Sequence, residues 1–432
     1  MNSPQPDRAD RAAGIDRADS SAAGAAECPR PRPWLAMVGV GEDGVDGLAP
    51  AARDWISSAE LVFGSRRHLA LVASLIRGKA TAWPRPFDSE LREVLAERGR
   101  PVCVLASGDP FQFGVGALLA ARVPAGEWIA IPGVSAFSLA ASRLGWSLPD
   151  TECVSLHARP LDAVRSALQP GARVLALTSD GDAPRALAAL LTELGFGASR
   201  IHVLERLGGP GERIRSASAA VFELGAIDAL NTVAIECSAA PDARILARAP
   251  GRPEELFEHD GQITRRDVRA LVLARLAPRR GELLWDVGAG AGSVAIEWLL
   301  CDRSLSAIAI EADAARSERI HRNAVRFGVP GLEVVVGRAP HALVGLPAPH
   351  AVFVGGGGRD TAVLDACQAA LRSRGRLVAN AVTLETEAVL LARHAQDGGE
   401  LVRIALAAAA PLGGQWSFEP ARPLLQWTWH KP

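Results

Sequence analysis

The stretch Leu283 to Trp298, LLWDVGAGAGSVAIEW, limits what this chain can fold into more than any other. Apolar residues running to Asp286 read as a buried parallel strand, Gly288, Gly290 and Gly292 recur at every second position, and Ser293 opens an apolar helix pattern. A strand, a glycine turn and a helix N-terminus make a place where backbone approaches a ligand, because glycine has no Cβ in the way. A nucleotide-like ligand is expected there. The dinucleotide fingerprint G-x-G-x-x-G would need its third glycine at 293, which is Ser293, so that spacing fails and D-x-G-x-G-x-G stands instead.

Length sets the frame for the rest. A chain of 432 residues exceeds one ordinary core, and two domains are expected. Hydrophobic content of 48% with 22% charged residues fits a soluble globular protein, and a formal net charge of −1 leaves no footprint for nucleic acid. Lysine occurs only as Lys79 and Lys431, an arginine bias that suits carboxylate recognition or reflects codon usage. Cys28, Cys103, Cys153, Cys237, Cys301 and Cys367 form no CxxC pair, so no metal site is expected and a reducing, cytoplasmic setting is. No apolar run reaches the ~20 residues of a membrane span. Residues 1–33 mix charge with Ala, Ser and Pro and read as a disordered tail without a secretion signal.

Between residues 34 and 240 three strands run into small-residue loops. WLAMVGVG leads to Gly39 and Gly41, PVCVLASGDP leads to Ser107, Gly108, Asp109 and Pro110 with a helix from about Gly114, and Ile129 to Ile131 leads to Gly133, Val134 and Ser135. Each loop reads either as a ligand contact at a strand's carboxyl end or as an ordinary turn with a helix cap. A second half from about Asp150 adds further strands and a helix. His157 reads as structural or solvent-facing, and Arg66, Arg67 and His68 read either as a substrate-carboxylate site or as a solvated helix face.

VGVGEDG, LASGDPFQFGVG, IPGVSAFSLAASRLG and VSLHARP, in this order, resemble the tetrapyrrole methylase family, in particular its cobalamin-pathway branch. The resemblance implies two α/β subdomains with S-adenosylmethionine in the cleft between them, held by Gly39, Gly41, Ser107, Gly108, Asp109, Pro110, Gly133, Val134 and Ser135. Glu42 and Asp43 depart from the family's GxGPGD opening.

Residues 241–261, rich in Pro, Gly and charge, read as a linker. ITRRDVRALVLARLAP then reads as a helix capped by Thr264. D-x-G-x-G-x-G with an acidic second strand end at Glu311 resembles class I S-adenosylmethionine methyltransferases. ITRRDVRA, WDVGAGAGSVAIEW, VFVGGGG and VANAVTLET over 262–432 resemble the precorrin C15-methyltransferase and decarboxylase family. This implies a second donor site from Thr264, Asp286, Gly288, Ala289, Gly290, Ala291, Gly292, Glu311 and Ala339, where Arg338 departs from the usual Gly-Asp-Ala.

The expected architecture is therefore α/β, an N-terminal two-subdomain tetrapyrrole methylase fold plus a C-terminal class I Rossmann-like methyltransferase fold. The joint resemblance implies an anionic precorrin tetrapyrrole as substrate: methylation of precorrin-6B at C5 and C15 with loss of the C12 acetate carboxyl, giving precorrin-8. It also implies one S-adenosylmethionine per domain and a homo-oligomer. No side chain stands out as a general base or acid. A nicotinamide oxidoreductase, another precorrin C-methyltransferase and a non-catalytic precorrin carrier are the alternatives.

Overall fold

A computed structural model describes residues 33–432, so the tail expected over 1–33 and Cys28 lie almost wholly outside the described residues. Among the described residues three large sheets follow one another along the chain, each sandwiched between two apolar cores, besides one two-stranded hairpin sheet. Among the described residues no helix is long and apolar enough to cross a membrane.

In the first sheet β1 (Leu35–Val40), β2 (Leu61–Gly64), β3 (Lys79–Ala82), β4 (Val102–Ser107) and β5 (Trp128–Ile131) are all parallel, in the order β3-β2-β4-β1-β5. β1 is apolar on both faces because helices cover both. The connecting helices are α1 (Pro50–Ser58), α2 (Arg66–Leu71), α3 (Arg92–Leu95) and α4 (Gly116–Ala120), and α5 (Ala136–Leu144) leaves the sheet. α4 starts later than the expected Gly114. The chain first winds around Pro110, whose carbonyl accepts the N–H of Gly116 at 2.8 Å.

The second sheet is mixed. β6 (Thr151–Ser155) runs parallel to β7 (Arg173–Leu177); after α6 (Ala183–Glu193) come β8 (Arg200–Glu205), β9 (Arg213–Ser218) and β10 (Asn231–Glu236), and β10 inserts antiparallel between β7 and β8.

The third unit opens with α7 (Arg266–Leu276) and alternates β11 (Leu283–Val287), α8 (Ser293–Leu299), β12 (Ser306–Glu311), α9 (Ala314–Arg326), β13 (Glu333–Val336), β14 (Ala351–Val354), α10 (Thr361–Ala370), β15 (Arg376–Ala381) and α11 (Leu384–Asp397). β16 (Glu400–Ile404), the hairpin β17 (Ala407–Leu412) and β18 (Gln415–Pro420), and β19 (Leu424–His430) finish the chain. The sheet order is β13-β12-β11-β14-β15-β19-β16, parallel up to β15, with β19 antiparallel between β15 and β16. Chain order reverses at β11, so the crevice beyond its carboxyl end is where such a sheet takes a ligand. The β17–β18 hairpin stands apart as its own two-stranded sheet, with Leu412, Trp416 and Phe418 exposed.

The segment ahead of α7 is anchored rather than free. Phe257 is buried in the core of the third unit and Leu246 and Leu256 pack against it, isolated contacts that leave no periodic signal in the sequence.

Candidate functional site

Two glycine cradles emerge, one at the carboxyl edge of the first sheet and one at that of the third. In the first, β1, β4 and β5 are neighbours, so their loops converge. A Cβ on Gly39 would lie 1.7 Å from the carbonyl oxygen of Gly108 and 2.3 Å from the nitrogen of Gly133. Gly133 N–H donates to that Gly108 carbonyl at 3.0 Å, and Gly108 N–H donates to Val40 at 3.1 Å. Three sequence-distant glycines thus form one backbone knot that any side chain would pry open. Gly108 has φ +55, and its Cβ would strike the Val134 carbonyl at 2.7 Å.

Around this knot the other residues take distinct parts. Asp109 accepts the N–H of Phe111 at 2.8 Å and closes the turn into Pro110. Ser135 is the N-cap of α5, accepting from the N–H of Ser138 at 3.1 Å, so the capping reading holds for it. Val134 is exposed beside it. Gly41 gives room to Asp43, whose Oδ1 would be 2.4 Å from a Cβ there.

The departure at Glu42 has a structural use. Its side chain, only 6% exposed, meets Arg67 at 2.5 Å and Arg206 at 3.2 Å, and Arg206 follows β8 of the second sheet and also holds Asp228. Glu42 therefore ties the loop after β1 of the first sheet to Arg206 beyond β8 of the second. Arg67 and His68 are not a solvated helix face: Arg67 Nη2 lies 2.8 Å from both Ser107 Oγ and His68 Nε2, while Arg66 alone is exposed. His68 is buried 2.8 Å from Ser107 Oγ, and burial first, then the Arg67 charge, pushes its pKa down to about 4. His157 sits apart, exposed, with Nδ1 3.2 Å from the Thr178 carbonyl.

The second cradle forms where β11 ends. Gly288, Gly290 and Gly292 have φ +70, +59 and +73, the left-handed region that only glycine occupies without strain. Each is also crowded: a Cβ would meet Gly356 Cα at 2.6 Å from Gly288, the Gln262 carbonyl at 2.8 Å from Gly290, and Ile320 Cγ2 at 2.7 Å from Gly292. N–H groups of Gly288 and Ala289 both donate to the Ile310 carbonyl of β12, at 2.9 and 3.2 Å. Ala291 is buried, and its carbonyl accepts from Asn323 at 3.0 Å.

Asp286 and Glu311 flank this loop. Asp286 Oδ2 accepts the N–H of Ala295 on α8 at 3.0 Å, while Oδ1 is buried with no partner. Burial pushes its carboxyl up to about 7, against the Ala295 bond and helped by the Glu311 charge. Glu311 Oε2 accepts from Gly290 N–H at 2.8 Å and Oε1 from Asp313 N–H at 3.0 Å. Each Glu311 oxygen keeps one lone pair for a ligand hydroxyl. Ala339 lies in the loop after β13, beside β12 through the bond from Gly337 N–H to the Glu311 carbonyl at 2.9 Å. Arg338 is exposed.

Thr264 is not the helix cap. α7 starts at Arg266 with Arg265 at the N-cap position, and the free N–H of Arg266 is taken by Glu254 at 2.8 Å. A carboxylate from well upstream thus replaces the local hydroxyl, which sequence spacing could not signal. The Thr264 carbonyl instead accepts from Arg269, which is fully buried, stacks over Phe257 at 4.8 Å and pairs with the equally buried Glu297 at 2.9 Å. Glu297 also accepts from the N–H groups of Gly251 and Arg252 at 2.7 and 2.8 Å. One acidic residue on α8 therefore fixes the 251–264 segment over the glycine loop. Its only trace in the sequence is a glutamate on an otherwise apolar helix face.

Known proteins align with both halves. A family model described as tetrapyrrole (corrin/porphyrin) methylases matches residues 35–221, and one described as a precorrin methyltransferase domain matches 255–431. The chain is 57% identical over 399 residues to a precorrin-6Y C(5,15)-methyltransferase [decarboxylating] of Sinorhizobium sp, covering 92% of this chain and 97% of that one. A Mycobacterium tuberculosis protein of the same name is 40% identical over 398 residues, covering 91% and 99%. Among solved structures, the C-terminal domain of precorrin-6Y C5,15-methyltransferase from Rhodobacter capsulatus is 50% identical, covering 43% of this chain and 100% of that one, with a TM-score of 0.41. With near-complete coverage of both chains at 57% identity, this chain belongs to the precorrin-6Y C(5,15)-methyltransferase (decarboxylating) family.

Proposed function

We propose that the chain methylates precorrin-6B at C5 and C15 and removes the C12 acetate carboxyl as carbon dioxide, giving precorrin-8 in cobalamin biosynthesis. The full-length correspondence with relatives of that name carries the reading. We assign C5 to the unit of residues 34–240 and C15 with decarboxylation to residues 262–432, each with one S-adenosylmethionine. When bound, that molecule supplies an electrophilic sulfonium methyl.

The residues fit such a donor at both cradles. At the second, the unpartnered buried oxygen of Asp286 suits a cationic ammonium and the spare lone pairs of Glu311 suit paired hydroxyls, while Gly288 and Gly290 give the loop its left-handed turns. The segments that carry Thr264 and Ala339 reach this cradle through the Gln262 carbonyl beside Gly290 and the Gly337 N–H on the Glu311 carbonyl. At the first, Gly39, Gly108 and Gly133 supply the backbone surface. The protein's contribution is positioning: holding a nucleophilic ring carbon in line with a methyl group accounts for most of the rate a reactive donor needs.

The five free cysteines among the described residues suit a reducing cytoplasm. A homo-oligomer is supported by the β17–β18 hairpin, whose outer edges are unpaired and whose Leu412, Trp416 and Phe418 are exposed, since a two-stranded hairpin alone is marginal in water. Incubation with precorrin-6B and methyl-labelled S-adenosylmethionine tests the assignment. Two methyls incorporated and one carbon dioxide released per substrate are expected; binding of precorrin without either would favour a carrier.

A further inference from the structure

Methyl transfer from a sulfonium donor to a ring carbon leaves a proton to be removed. The donor enters as a cation and leaves as a neutral thioether. Its C–S bond breaks with the electron pair staying on sulfur, and the new C–C bond uses a π pair of the ring. For the ring to return to its starting charge, the C–H pair at the methylated carbon must fall back into the ring as one proton departs.

We propose that Ser107 accepts that proton in the N-terminal cradle while passing its own to His68, with Arg67 setting the direction of the hand-off. The proposal rests on the assignment of carbon methylation to residues 34–240. Ser107 is the last residue of β4 and is exposed where the loops of Gly39, Gly108 and Gly133 meet, so its hydroxyl can touch a ligand. Directly behind it, 2.8 Å away, is the buried Nε2 of His68. Arg67 Nη2 lies 2.8 Å from both atoms. Nε2 has one lone pair and accepts one full hydrogen bond: with Arg67 donating to Ser107 Oγ, the serine hydrogen is free to point at Nε2, in the tautomer whose hydrogen sits on the buried, unpartnered Nδ1. A hydroxyl and an imidazole at this separation form the base pair used where a side-chain oxygen must exchange a proton.

Glu42 offsets part of the Arg67 charge, but burial and Arg67 still disfavour the protonated imidazole, so the proton rests on His68 only transiently. α2 is capped by Ser65, whose hydroxyl accepts the His68 N–H, and it packs on β4.

The test uses the full chain with His68→Asn, which keeps a polar partner for Ser107 but takes no proton, and Ser107→Ala, which removes one exposed hydroxyl. Single turnovers with precorrin-6B should lose about 10²-fold or more in C5 methylation in both variants, the usual range for proton-transfer catalysis. C15 methylation and carbon dioxide release should persist, and calorimetry with S-adenosylhomocysteine should still count two sites. Substrate deuterated at the C5 methine should show a larger primary isotope effect in the variants. Without any methyl donor, exchange of that hydrogen with solvent deuterium in the presence of S-adenosylhomocysteine should slow in both. Unchanged rates, isotope effect and exchange would reduce the pair to a packing feature. Loss of an S-adenosylhomocysteine site in Ser107→Ala would make the hydroxyl a donor-binding group and overturn the relay. If His68→Asn does not fold, Ser107→Ala decides. A wild-type protein that transfers no methyl would instead count against the proposed function.

Discussion

Replacing Asp286 with asparagine probes the second cradle through stability and binding together. Asp286 is 1% exposed, with one oxygen on the Ala295 N–H and the other unpartnered. Its carboxyl, ordinarily near 3.8, is pushed up to about 7. A displacement of that size corresponds to about 4 kcal/mol between folded and unfolded chain. Because the folded-state value is the higher one, the unfolded chain gives up this proton first. Stability therefore falls as pH rises from about 4 to about 7, and the loss is complete above that. The asparagine of the variant would not titrate. Its carbonyl can keep the Ala295 bond, but its amide would place N–H groups where Oδ1 has no partner, costing about 1–3 kcal/mol. Asp286→Asn is thus expected to be less stable than wild type near pH 4 and more stable above pH 7 by about 1–3 kcal/mol in each direction. Urea unfolding from pH 4 to 8, read by pulse hydrogen exchange of residues 283–298 at one fixed labelling pH, measures the crossing. Binding should run the other way. A cation beside Asp286 favours the carboxylate, so S-adenosylmethionine affinity at this site should rise about tenfold per pH unit up to about pH 7 in wild type and stay flat and weaker in the variant. Stability curves that run parallel across the whole range would refute the argument.

Other perturbations separate the two cradles. Gly290→Asp adds a Cβ 2.8 Å from the Gln262 carbonyl at φ +59 and a charge beside Glu311, so C15 methylation and decarboxylation should stop. Calorimetry should then count one S-adenosylmethionine site instead of two; losing both would break the proposed independence. Gly39→Ala puts a methyl 1.7 Å from the Gly108 carbonyl and should open the first knot, destabilising by about 1–3 kcal/mol or more and abolishing C5 methylation in single turnovers. Asp109→Ala removes the acceptor for the Phe111 N–H and should lower C5 methylation alone, without touching carbon dioxide release. Trp416→Glu with Phe418→Glu charges the exposed hairpin, and light scattering should report a smaller particle than wild type with folding intact.

Local chemistry made much of this molecule legible from its residues. Apolar runs announced β1, β4, β11 and β12, because parallel strands covered on both faces leave a continuous apolar signal, whereas β5 lies at the sheet edge and is only partly buried. The failed third glycine at Ser293 excluded the dinucleotide pattern, and Gly288, Gly290 and Gly292 do take the left-handed conformations that glycine alone accepts readily. What required the fold was every contact between residues far apart in the chain. Sheet order brought Gly39, Gly108 and Gly133 within touching distance, put Ser107 on His68 and Arg67, and set Glu42 against Arg206 of another sheet. Glu254 displaced Thr264 as the partner of the first turn of α7, and Glu297 fastened a segment with no periodic pattern. β19 slipped between β15 and β16 for the same reason. Periodicity and turn chemistry act over a few residues and are written in the chain, whereas pairing across dozens of residues depends on which strands become neighbours, and only the folded sheets determine that.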